Sequence, residues 1–109
     1  MQNKEEIFKA ISEKYGKLYM LRQMAEECSE LSQAALKYIR ALRNETPMRI
    51  DEAIEHLTEE IADVRLMIDA VSATVLSWRD VDDMQAIKEQ KLERWKTRMV
   101  DGDMDEYMW

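Results

Sequence analysis

Apolar residues recur at a helical period through two long stretches of this chain, and almost nothing in either stretch can break a helix. The first runs through Leu21, Met24, Cys28, Leu31, Ala35, Tyr38 and Leu42. The second runs through Ile50, Ile54, Leu57, Ile61, Val64, Ile68, Val71 and Val75. Spacings of three and four keep each set on one side of an α-helix, where it must be buried against another element. With 2 glycines and 1 proline in 109 residues, turns are scarce and helices long. No run alternates apolar and polar residues as a half-buried strand does, so the class is all-α.

Punctuation is confined to a few places. Asn3, with Glu6 three residues on, forms a capping box for a first helix that ends before Gly16. Ile7, Ala10 and Ile11, with Phe8, make its inner face. A second helix runs from Lys17 to Arg43. Asn44-Glu45-Thr46-Pro47 ends it, with Thr46 as N-cap and Pro47 at the first position of a third helix reaching about Leu76. After Ser77-Trp78-Arg79-Asp80, a fourth helix covers Asp82 to Met99. A single domain, 1–109, is expected, with a core over residues 3–99, an acidic tail over 100–109 and an antiparallel pair of helices 2 and 3. Long helices in so short a chain leave apolar flanks uncovered, so the subunit is expected to assemble as an oligomeric helical bundle.

Two acidic tetrads lie in matching positions on the two stripes, Glu26-Glu27-Cys28-Ser29-Glu30 and Glu59-Glu60-Ile61-Ala62-Asp63. Glu27 with Glu30, and Glu60 with Asp63, are three residues apart, so each pair can grip one cation from a single helix face. One constant shift along the sequence superimposes Glu27 on Glu60, Glu30 on Asp63, Leu31 on Val64 and Tyr38 on Val71. Glu27 and Glu60 lie about 60° from the stripe centre, and Glu30 and Asp63 about 120°, on the same side. Glu26 and Glu59 point to solvent. Charged residues make up 36% of the chain, so one such pair means little. Two in register place four carboxylates at one cleft, an arrangement that repels itself unless a hard divalent cation such as Mg²⁺ joins it.

A net charge of −7 argues against general nucleic-acid binding, which rests on a basic surface. Cys28 is the single cysteine, and its place on the stripe reads as a buried thiol. With no intrachain partner for it, a cytoplasmic location is the simplest. No apolar run approaches membrane-spanning length, and Met1-Gln2-Asn3-Lys4-Glu5-Glu6 lacks a signal-peptide core, so no membrane partner is expected. The fourth helix carries a stripe of Met84, Ile87, Leu92, Trp95 and Met99, with Trp95 expected in the core. Lys88 and Lys91 fall within about 40° of its centre and Arg98 about 60° away. These cations either snorkel to water or pair with carboxylates, or they offer charge to phosphates in the acidic cleft. His56, four residues before Glu60, reads as a rim residue. The nine methionines read as adaptable packing.

Glu27-x-x-Glu30 followed by Glu60-x-x-Asp63 on successive helices resembles the MazG-like all-α nucleoside triphosphate pyrophosphohydrolases. That superfamily includes dimeric dUTPases, dCTPases and phosphoribosyl-ATP pyrophosphohydrolases. The likeness extends to Lys14-Tyr15-Gly16 and to Lys91-x-x-Arg94-x-x-x-Arg98, and covers about residues 5–98; the stretch from Glu30 to Glu60 is long for that family. The resemblance implies Mg²⁺, or Mn²⁺ in its place, on Glu27, Glu30, Glu60 and Asp63. It also implies hydrolysis of an NTP or dNTP to the monophosphate and pyrophosphate, in a homodimer or homotetramer. Lys91, Arg94 and Arg98 are then the candidates for holding the substrate's phosphates. A di-iron bundle would need Glu-x-x-His pairs, and Ala53 stands three before His56. Phosphoribosyl-ATP hydrolysis, and a non-catalytic oligomer that binds nucleotide or a partner, stay as alternatives.

Overall fold

The computed structural model describes residues 3–101, and among them every regular element is an α-helix. These are α1 (Lys4–Tyr15), α2 (Lys17–Leu42), α3 (Ile50–Thr74) and α4 (Trp78–Asp101). They fall into two compact units, one reaching Val75 and holding α1 to α3, the other starting at Leu76 and holding α4. No described helix is long and apolar enough to cross a membrane.

The first helix starts as the sequence dictates. Asn3 Oδ1 accepts from the Glu6 N–H at 2.9 Å, and the Asn3 amide donates back to Glu6 Oε1 at 3.3 Å. Only Gly16 separates α1 from α2, and it turns the chain at φ 87° and ψ 171°, a region essentially reserved for glycine. Tyr15 and Tyr19 stack across this corner with ring centroids 4.7 Å apart. Of the expected inner face of α1, Phe8 alone is buried, and Ile7 is exposed.

α2 and α3 form the body of this unit, packed as an antiparallel hairpin. Met20 meets Met67 in one cavity while Ala34 and His56 meet in another, so the numbers run in opposite senses. On α2 the buried residues Met20, Ala34 and Ala41 fall on one heptad line, and the vacant step of that line is Glu27. On α3, Ala53 and Met67 sit one heptad either side of Glu60, while Val64 and Val71 are buried beside them. Ala34 and Ala53 carry too little side chain to hold the backbones apart, so the helices approach closely around the two acids.

The buried line is therefore rotated toward the acids from the expected stripe centre. Cys28, expected inside, is exposed, and so are Leu21, Leu42, Ile54, Ile61 and Ile68. One helical neighbour covers only part of a wide apolar stripe, and periodicity does not say which part.

The breaks also differ from expectation. Thr46 accepts from the Met48 N–H at 3.3 Å and so closes a local turn instead of capping α3. The helix begins three residues after Pro47. Arg49 has extended backbone there and its guanidinium grips Asp51 at 2.8 and 3.0 Å, which holds the Asp51 carboxyl below its ordinary range. α4 starts earlier than Asp82 because Ser77 and Asp80 build a reciprocal cap. The Ser77 N–H donates to Asp80 Oδ2 at 2.8 Å, and the Asp80 N–H donates to Ser77 Oγ at 3.2 Å. The helix continues through Val100 to Asp101, and the remainder of the acidic tail lies outside the described residues.

Open space surrounds the position a side chain on Gly16 would take, so substitution there meets backbone strain alone. Gly16→Ala should lower unfolding free energy by about 1–3 kcal/mol in urea melts with an unchanged slope. A smaller loss would mean the corner relaxes out of its left-handed geometry.

Candidate functional site

A carboxylate on a heptad line of a packed helix pair occupies a position that packing alone would fill with an apolar residue. Glu27 and Glu60 both do this, each half-buried on its own helix. One oxygen of each, Glu27 Oε2 and Glu60 Oε2, is buried without a hydrogen-bond partner. A buried acceptor left without a donor is unfavourable, more so when charged. Two such orphans facing one seam are a local defect unless something else completes them.

Glu30, one turn beyond Glu27, is exposed and brings a third carboxylate. One oxygen from each of Glu27, Glu30 and Glu60 lies within 4.8 Å of the others. Oxygens on opposite sides of an octahedral Mg²⁺ stand about 4.2 Å apart, so small side-chain movements would close this trio on the ion. An all-carboxylate set suits a hard divalent cation, and the orphaned oxygens are the acceptors it would satisfy. Asp63 stays exposed and outside the trio, although its charge acts on both Glu27 and Glu60. Glu26 and Glu59 are exposed, as their register requires.

The electrostatics follow from this crowding. Removal from water pushes the Glu27 carboxyl above its ordinary value, and the charges of Glu30, Asp63 and Glu60 push it further. Glu60 is raised for the same reasons, burial first and then Glu30 and Asp63. No cation is among the groups acting on either of them.

Three neighbours complete the polar wall. Gln33, Lys37 and His56 line a cavity of about 90 Å³ together with Glu30, Ala34 and Glu60. Lys37 was not singled out in the sequence. The available signal was its position two turns after Glu30 on the same face of α2, with Gln33 between them.

The basic residues of α4 belong to the other unit and are described within it. Lys91, Arg94 and Arg98 are exposed, and the ion pair formed inside the helix is Lys96 with Glu93 at 3.9 Å. Trp95, expected in the core, is 56% exposed, because α4 has no buried residue along its length.

The raised carboxyls make a pH signature. Below the ordinary value of about 4.5 both folded and unfolded chains hold the proton, and the groups cost nothing. As pH rises past that value the unfolded chain ionises first, so stability is lost until the raised folded values are passed. The pair Glu27→Gln and Glu60→Gln should therefore melt higher than the natural chain at neutral pH without divalent ions. The advantage should vanish below about pH 4.5. A pair of variants that melts lower at neutral pH would contradict the repulsion.

No family model matches the chain, and neither the curated proteins nor the solved structures gave a significant match.

Proposed function

We propose that this chain is a Mg²⁺-dependent nucleoside triphosphate pyrophosphohydrolase of the MazG-like kind, acting on an NTP or dNTP. The observation that supports it most is the convergence of Glu27, Glu30 and Glu60, with two buried oxygens that no protein donor satisfies. Packing gives no reason for that arrangement, whereas a metal–phosphate site would use it. Glu27, Glu30 and Glu60 would hold the ion, with Asp63 at the rim as the fourth carboxylate. When bound, Mg²⁺ neutralises phosphate oxygens and makes bound water more acidic. Water adds to the α-phosphorus, the bond to the β-phosphate oxygen breaks, and pyrophosphate leaves. A carboxylate oxygen left over from coordination orients the water and takes its proton. Lys91, Arg94 and Arg98 carry charge suited to the phosphates and form no ion pair within α4.

A panel of nucleoside triphosphates with Mg²⁺, scored for pyrophosphate, tests the reading. Asp63→Asn should cut release by roughly 100-fold or more, and EDTA should abolish it. Glu26→Gln and Glu59→Gln should remain active. Full activity in EDTA would sink the metal mechanism.

Assembly belongs to the same reading. Ile54, Ile61 and Ile68 form a second heptad line on α3, between 41 and 45% exposed, and Leu21, Cys28 and Leu42 form one on α2. A second copy of the chain is the partner we infer for this face, giving a homodimer or homotetramer. Light scattering should give at least a dimer at micromolar concentration, and Ile61→Glu should dissociate it. A monomeric natural chain would rule this out.

A further inference from the structure

The seam between α2 and α3 has two unlike ends on either side of the acids. Toward the start of α2 lies a cavity of about 160 Å³ whose wall is mostly apolar, with Phe8, Met20, Leu66 and Met67 beside Tyr19 and Gln23 and no charged side chain. Toward the end of α2 lies the smaller cavity of about 90 Å³, walled by Gln33, Lys37 and His56 with Glu30 and Glu60. A polyphosphate carries several charges and cannot be desolvated against the apolar wall without large cost. The polar end offers what its oxygens need: three ammonium donors on Lys37, two amide donors on Gln33 and at least one ring N–H on His56.

Lys37 is informative by what it does not do. It is half-buried and shares a cavity with Glu30 and Glu60, yet among the described residues it pairs with neither. Ala34, on the same wall, brings no side chain to fill the gap between cation and carboxylates. Carboxylates on one side and uncommitted donors on the other match a metal-bound phosphate, with the ion against the acids and its phosphate oxygens toward the donors. The cavity is well below the 300 Å³ or more typical of whole small-molecule sites, so it takes one group of a ligand and not a nucleobase.

We propose that Lys37 and His56, with Gln33, hold the polyphosphate tail of the substrate, which thus points toward the α2–α3 turn. This assignment rests on the hydrolase reading above and gives the substrate a direction along the seam. Calorimetric titration of the full chain with Mg²⁺ alone, and with inorganic pyrophosphate in Mg²⁺, tests it. Lys37→Met should weaken pyrophosphate binding on the order of tenfold or more. Mg²⁺ affinity and melting temperature should not change, and Lys37→Arg should keep most of the affinity. His56→Ala should lose affinity to a smaller degree. Unchanged pyrophosphate binding in both Lys37→Met and His56→Ala, with Mg²⁺ still bound, overturns the assignment and leaves the hydrolase reading standing. Failure of the natural chain to bind Mg²⁺ overturns the hydrolase reading and this assignment together. In the nucleotide panel, Lys37→Met should raise KM by a similar factor for every base. A loss confined to one base would place the nucleoside at this end and reverse the proposed direction.

Discussion

Removal of Glu27 and Glu60 from water, with the charges of Glu30 and Asp63 beside them, is the constraint around which the α1–α3 unit is arranged. Both acids stand on heptad lines otherwise occupied by alanine and methionine, and one oxygen of each is out of water with no donor. Among the described residues no cation acts on either carboxyl. The unit holds together through what flanks the acids. Ala34 and Ala53 bring the backbones close on one side, and Met20, Met67 and Phe8 fill space on the other. The hairpin is thus held on both sides of the acids and is unfavourable between them.

The helices and the identity of the central acids were legible from spacing alone. Asn3 with Glu6 and the isolated Gly16 marked the first boundaries, and Glu27 was separable from Glu26 by register. What spacing missed was the side of the stripe that packs. Cys28 and Ile61 have better apolar credentials than Ala34 or Ala53, yet the alanines are buried and the larger residues are not. Close helix approach selects small side chains at the contact, whereas a hydrophobic pattern weights large ones. Thr46-Pro47 looked like a helix start because the residue types suit one. The hydroxyl had a nearer partner in Met48, and Arg49 with Asp51 organised the true start. Ser77-x-x-Asp80 was readable as a cap, and the absence of glycine and proline there drew attention from it.

Lys37 and His56 illustrate a different limit. Neither residue type is remarkable on a helix rich in charge, and each lies at least one turn from the nearest acid of the site. Lys37 meets Glu60, and His56 meets Glu30, only once α2 and α3 run antiparallel, since that register alone brings the middle of one helix against the beginning of the other. Pairings across a hairpin are invisible to a motif read along one strand of sequence.

α2 and α3 are joined by the short segment after Leu42, so the pairs nearest that segment close the smallest loops and those at the far end, such as Met20 with Met67, the largest. Docking α2 on α3 buries Ala34 and Ala53 and forces Glu27 against Glu60 in the same event. Packing and the crowding of the carboxylates therefore come as one step, and the gain from the first is reduced by the second.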